Sequence, residues 1–399
     1  VTQHFSAPSR RAVLLGGVAA ATTAAVGAVA TTPAYADTVP TRDLRRYALR
    51  ARDTYAALQK YFYDPKTSLY LEEYPHAGGN QYSYVWPFSQ AMVATLDVAG
   101  LPGMGSGYTA DVADRFTAVE KYWNAQTDPP GYDSYLRPPL GQGGDKFYDD
   151  NEWIGLADLQ RHLRTSGGHA PSLRRAAQIF DLVVFGWDDD PTHPCPGGVF
   201  WTQAPWSHDR NTVSNAPGAE VGLHLYLATR EPRYLEWSTR MYDWTRSYML
   251  APNGLYWDHV DLAGNIQKSQ WSYNQGVMIG AGVLLHRATG SRVFLDQAED
   301  TAKKALAFYA ENERYFTQPA RFHAIFFANL LQLSTLRPDP AYREAMQWYA
   351  DQSYQRFRDA DTGLYRFDGD NPVTLLEQSG MVRIEAMLGW SPADYRKLT

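Results

Sequence analysis

Trp271-Ser272-Tyr273-Asn274-Gln275-Gly276-Val277-Met278-Ile279-Gly280-Ala281-Gly282-Val283-Leu284-Leu285 is the stretch on which the fold turns. Polar and aromatic residues open it, and from Val277 to Leu285 it is apolar on nearly every face of a helix. A helix of that kind is buried all round. It ends in the tight linker Ala288-Thr289-Gly290-Ser291, and an amphipathic stretch at helical period follows over about 292 to 311. A longer loop carrying Gly254-Leu255-Tyr256-Trp257 precedes it. The unit is therefore an aromatic loop, a buried helix, a tight turn and an outer helix.

The same unit recurs along the chain. Helical periodicity predicts about twelve helices, over roughly 41–62, 84–99, 109–125, 149–166, 171–185, 212–229, 232–250, 272–290, 292–311, 318–336, 339–358 and 373–390. The linkers after the first, third, fifth, seventh and eleventh helices carry a Gly or Ser beside aromatic residues: Ser68-Leu69-Tyr70, Gly131-Tyr132-Asp133-Ser134-Tyr135, Gly198-Val199-Phe200-Trp201, Gly254-Leu255-Tyr256-Trp257 and Gly363-Leu364-Tyr365. Linkers after even-numbered helices are mostly tight, and few strand signals compete. A spacing of roughly 55 to 65 residues between long linkers suits one helical hairpin plus its loop. Six such hairpins bury their faces best by closing into an all-α, single-domain (α/α)6 barrel, with an open solenoid as the alternative. Even-numbered helices then form the inner ring and run parallel. Their N-termini, with the aromatic loops before them, converge at one end, which is the predicted site.

Composition narrows the function. The chain has 399 residues, 44% hydrophobic and 20% charged, as in an ordinary soluble protein. Aromatic residues reach 14%, including 27 Tyr and 12 Trp, more rings than a core needs, so some should line a cleft. A formal net charge of -6, with only isolated basic pairs such as Arg45-Arg46 and Lys303-Lys304, argues against nucleic acid as a partner. The single cysteine, Cys195, excludes an internal disulfide and a thiolate metal cluster, and it reads as an incidental loop residue. The histidines lack metal-site spacing, so neither a metal nor a cofactor is expected.

Residues 1–36 read as an address: Ser9-Arg10-Arg11, a weakly apolar run from Ala12 to Ala30, then Ala34-Tyr35-Ala36. The pattern is that of a twin-arginine export signal, leaving 37–399 as the catalytic domain of a secreted, soluble, monomeric protein without a membrane span. An N-terminal anchor is the alternative reading.

At the convergent end the inner starts read Ser83-Tyr84-Val85-Trp86, Tyr148-Asp149-Asp150-Asn151-Glu152-Trp153, Asn211-Thr212-Val213-Ser214-Asn215, Trp271-Ser272-Tyr273-Asn274-Gln275-Gly276, Arg321-Phe322-His323 and Leu376-Glu377-Gln378. Amides, carboxylates and rings suit the hydroxyls and C–H faces of a saccharide, not a phosphate. Candidate substrate contacts are Trp86, Tyr148, Trp153, Asn215, Trp257, Asp258, Tyr273, Asn274, Gln275, His323 and Gln378. Asp149 and Asp150 are the candidate catalytic pair. Glycoside hydrolysis needs two carboxyl groups, and neighbours at a helix start can approach the roughly 5–5.5 Å separation of retaining enzymes. Mutual repulsion raises one pKa and so separates an acid from a carboxylate. The bland alternative is a capping box, Asp149 with Glu152 three residues on. Asp188-Asp189-Asp190 before Pro191 reads as a solvated turn.

These residues resemble glycoside hydrolase family 76, the endo-acting α-1,6-mannanases. The resemblance runs in order through Tyr148-Asp149-Asp150, Gly197-Gly198-Val199-Phe200-Trp201, Asn211-Thr212-Val213-Ser214-Asn215, Trp271-Ser272-Tyr273-Asn274-Gln275-Gly276 and Leu376-Glu377-Gln378. It implies an (α/α)6 barrel, an α-mannan polysaccharide as substrate, hydrolysis with retention, Asp149 as nucleophile and Asp150 as acid/base. Two positions depart from the family pattern: Glu152-Trp153-Ile154 carries one tryptophan where two are frequent, and Arg210 stands where a lysine is frequent. Two other functions fit the same barrel, a sugar epimerase using histidines as acid and base, and a mannan-binding protein without turnover.

Overall fold

The computed structural model describes residues 39–369 and 371–399, and the export reading of 1–36 lies outside them. Among the described residues there are twelve α-helices: α1 (Thr41–Phe62), α2 (Val85–Val98), α3 (Thr109–Ala118), α4 (Tyr148–Arg164), α5 (Ala170–Phe185), α6 (Thr212–Thr229), α7 (Pro232–Met249), α8 (Ser272–Thr289), α9 (Arg292–Ala310), α10 (Ala320–Ser334), α11 (Pro340–Arg356) and α12 (Leu375–Gly389). Local chemistry sets their ends. Asp339 accepts the Ala341 N–H at 2.9 Å ahead of Pro340, and the Thr374 hydroxyl accepts the Glu377 N–H at the start of α12. Gly290 closes α8 at φ 75°, a left-handed conformation that suits glycine.

Burial divides the helices as the periodicity predicts. Every residue of α12 is buried, and α8 is buried from Asn274 to Leu285, whereas α1 and α9 bury one stripe each. The even-numbered helices touch in sequence, α2 to α4, α6, α8, α10 and α12, and α12 returns to α2. That return closes the ring and excludes the open solenoid. Odd-numbered helices pack outside, α1 on α12, α5 on α4, α7 on α6 and α9 on α8. Two glycines let inner helices approach: a Cβ on Gly276 would lie 2.7 Å from the Phe326 Cα, and one on Gly380 would lie 2.7 Å from the Arg321 N. The fold is the expected (α/α)6 barrel.

Two details differ from the periodicity reading. The third helix stops at Ala118 and tightens into a 3-10 turn over Val119–Tyr122, which buries Tyr122 and starts a strand at Trp123–Asn124. Strands also exist, although each spans only two or three residues, and they occupy the aromatic loops. Leu69–Tyr70 pairs with Tyr63–Asp64, and Gly131–Tyr132 pairs with Trp123–Asn124. Bridges Trp187 to Val199, Leu250 to Tyr256 and Arg358 to Tyr365 repeat the motif. Each aromatic loop is thus a miniature hairpin that returns the chain to the next inner helix. Glu73–Tyr74 pairs with Val373–Thr374, so the loops of the first and last units are joined as well.

Candidate active site

A cavity of about 790 Å³ opens where the inner helices begin. Each inner helix contributes to its wall from its first turns: Trp86 and Pro87 from α2, Asp149, Asp150 and Trp153 from α4, Val213 from α6, Tyr273 from α8, Phe322 from α10 and Leu376 from α12. Loops add Glu72, Tyr84, Asp145, Phe147, Trp201, Asp209, Asn211, Asp258 and His259. The Tyr273 and Phe322 rings stack with centroids 4.1 Å apart, and Trp86 lies 6.3 Å from Phe322 at 25°. This is a wall of aromatic faces broken by carboxylates.

Asp149 and Asp150 are both half-buried in that wall and differ in what they receive. Asp149 accepts the backbone N–H of Asp150 at 3.0 Å and the indole N–H of Trp201 at 3.4 Å. Burial raises the pKa of both acids. For Asp149 the two hydrogen bonds pull back toward the carboxylate, while for Asp150 the negative charge of Asp149 raises it further. The hydrogen bonds therefore favour the charged form at Asp149 over that at Asp150. The capping-box alternative does not describe this turn. The N-cap of α4 is Phe147, with no side-chain cap, and neither carboxyl oxygen of the buried Glu152 has a hydrogen-bond partner.

Asp258 faces the same cavity and is held in place. Asn274 donates its amide to Asp258 Oδ1 at 3.1 Å, and His259 Nδ1 lies 3.0 Å from Oδ2, a contact that raises the histidine pKa. The charge of Asp258 also raises Asp149.

Of the residues predicted as sugar contacts, Trp86, Trp153, Asp258 and Tyr273 line the cavity. Asn215, Gln275, Gln378 and His323 do not, and their burial has a common cause. Each is the fourth residue of its inner helix, where it clamps the preceding loop. Gln275 accepts the Tyr256 N–H at 2.7 Å and donates to the Tyr256 carbonyl at 2.9 Å. Asn215 holds both backbone groups of Val199, and Asn151 holds both of Tyr132. Gln378 accepts the Tyr365 N–H at 3.0 Å, and His323 Nε2 sits 2.8 Å from the Tyr315 carbonyl. Asn274 acts through Asp258. The Tyr148 ring packs against Gly186, and the carbonyl of Trp257 accepts the Thr212 hydroxyl at 2.6 Å.

Trp201, Phe147 and His259 were missed as site residues. Trp201 stood in the Gly198-Val199-Phe200-Trp201 run, but nothing in the spacing showed that its N–H would reach Asp149. Arg210 is fully buried and ties Asp188 at 2.6 Å to the Pro194 and Asp261 carbonyls. Asp188 is accordingly not part of a solvated turn, while Asp190 is more open. Burial pushes His323 down to about 4, and its ring nitrogen is engaged by the Tyr315 carbonyl. That removes the histidine on which the epimerase alternative leaned.

The family model for glycosyl hydrolase family 76 matches residues 47–370. The chain belongs to that family. A curated relative, the mannan endo-1,6-alpha-mannosidase DCW1 of Candida glabrata, is 28% identical over 190 residues, 44% of this chain. The match spans only 42% of that relative's own length. Among solved structures, the family 76 mannosidase Bt3792 of Bacteroides thetaiotaomicron shares the fold with a TM-score of 0.75 at 23% identity, over 86% of this chain and 98% of that one. An inactive variant of the α-1,6-mannanase GH76A of Salegentibacter, with asparagine in place of two consecutive aspartates, binds α-1,6-mannotriose. It superimposes with a TM-score of 0.68 at 21% identity, over 86% of this chain and 99% of that one. In this family 76 chain no described helix is long and apolar enough to cross a membrane.

Proposed function

We propose that this chain is an endo-acting α-1,6-mannanase that hydrolyses with retention, using Asp149 as nucleophile and Asp150 as acid/base. The observation that carries the reading is the unequal hydrogen bonding of two adjacent acids in an aromatic-lined cavity. Asp149, with two donors, is the group suited to be an anion. Asp150, with burial and a neighbouring charge against ionisation, is the group suited to hold a proton near neutral pH. Asp150 gives that proton to the departing glycosidic oxygen while an Asp149 oxygen bonds to the anomeric carbon. Water deprotonated by Asp150 then cleaves the mannosyl ester, restoring both groups and the original anomeric configuration. Ring faces such as those of Tyr273 and Trp86 suit the C–H faces of mannose.

Family membership and the names of the relatives support mannan as the substrate class, and export through residues 1–36 belongs to the same proposal, with 37–399 as one catalytic domain. Incubation with linear α-1,6-mannan should release short oligosaccharides whose first-formed anomer, followed by NMR, is α. A folded protein that leaves α-mannan intact would overturn the activity, and initial β product would overturn retention. Recovery of the protein from the medium, shortened at its N-terminus, tests export.

A further inference from the structure

We infer that Trp206 is a sugar-binding platform that extends the cleft beyond the Asp149–Asp150 pair and takes one more hexose of the same chain; the inference rests on the mannanase reading. Trp206 is 53% exposed, an unusual state for the largest apolar side chain. It is nonetheless held. Its ring meets Trp201 at 6.2 Å and 77°, and Phe147 at 6.1 Å and 54°. Both of those rings line the cavity, and Trp201 is the residue whose N–H reaches Asp149.

The loop that carries Trp206 is anchored beside the acid pair. The Thr202 hydroxyl and the Gln203 N–H both donate to the Lys146 carbonyl, at 2.7 and 3.1 Å, and the Ser207 N–H donates to the Ala204 carbonyl at 2.9 Å. Tyr148, immediately before Asp149, donates its N–H to the Trp201 carbonyl at 2.9 Å. Trp206 is therefore fixed relative to the reacting groups while its ring stays open to solvent. An exposed indole costs the burial it could have had. A fixed apolar face continuous with a carbohydrate-type cavity recovers that cost when a pyranose stacks on it.

Chain length should then govern rate. On α-1,6-linked mannooligosaccharides of increasing length, Trp206→Ala should lower kcat/KM by about 3- to 10-fold on the longer substrates, and the loss should shrink toward the shortest one cleaved. Trp206→Phe, which keeps a stacking face, should recover most of it. Circular dichroism checks that both variants fold. A loss of equal size at every length, or none at any length, overturns the platform. Failure of the unmutated protein to cleave any length overturns the mannanase reading, and the platform with it.

Discussion

Trp201 donates its indole N–H to Asp149, 3.4 Å away, and no comparable donor reaches Asp150 among the described residues. A residue fifty-two positions further along the chain thus distinguishes two acids that the sequence presents as a matched pair. On the proposed mechanism this difference divides the catalytic labour between them, in a way that can be measured.

Asp150→Ala should lower activity on mannan by about 10²–10⁴-fold, the range of general acid catalysis, and far less on an aryl α-mannoside whose leaving group needs no proton. Asp149→Ala should abolish turnover on both. Equal sensitivity of the two variants to leaving-group acidity would remove the assignment.

The acid pair also sets a pH dependence. Because burial raises Asp149, the acidic limb of kcat/KM should lie above the ordinary aspartate range near 4. The charge of Asp258 contributes to that rise, so Asp258→Asn should move the limb toward lower pH. A limb that stays in place would show that Asp258 acts only on the substrate. Asn274→Ala, which releases one Asp258 oxygen, should give a smaller movement in the same direction or a rise in KM.

The loop clamps predict a stability effect apart from catalysis. Gln275→Ala leaves the N–H and carbonyl of Tyr256 buried without their partner, at a cost of about 1–3 kcal/mol. Urea unfolding should show it as a lower midpoint, and Asn151→Ala and Asn215→Ala should behave alike because they hold the same groups. An unchanged midpoint in all three would mean that water replaces the clamp.

A further linkage concerns Glu385, which burial pushes up to about 7 from 4.5, against the Thr54 and Tyr365 hydroxyls that donate to it. The folded state holds this proton more tightly than the unfolded chain. Its contribution is therefore complete below the unfolded pKa and is lost as pH rises toward about 7. Glu385→Gln should flatten the fall of Tm between about pH 5 and 8. A fall as steep as in the unmutated protein would assign it to other groups.

Helix placement was legible because it is local. The apolar run from Val277 to Leu285 and the turn at Gly290 identify α8 without knowledge of its neighbours, and the alternation of buried and amphipathic helices carries the hairpin repeat. The strands were less legible, since pairs such as Glu73–Tyr74 with Val373–Thr374 join residues three hundred positions apart. Periodicity has no access to such pairing.

What the amino-acid order determined by itself is the helical repeat and the helix starts at which polar and aromatic groups gather, whereas the return of α12 to α2 closed the ring. Only the tertiary structure, likewise, decided which of those groups face the cavity. In α4, α8 and α12 the second residue (Asp149, Tyr273, Leu376) lines it, while the fourth (Asn151, Gln275, Gln378) is buried against the loop. Two steps along a helix turn a side chain through about 200°, so these positions look in opposite directions. Asn, Gln and His offer the same donors and acceptors in either place, and the choice between binding a sugar and holding a loop belongs to the direction the helix presents once the ring has closed.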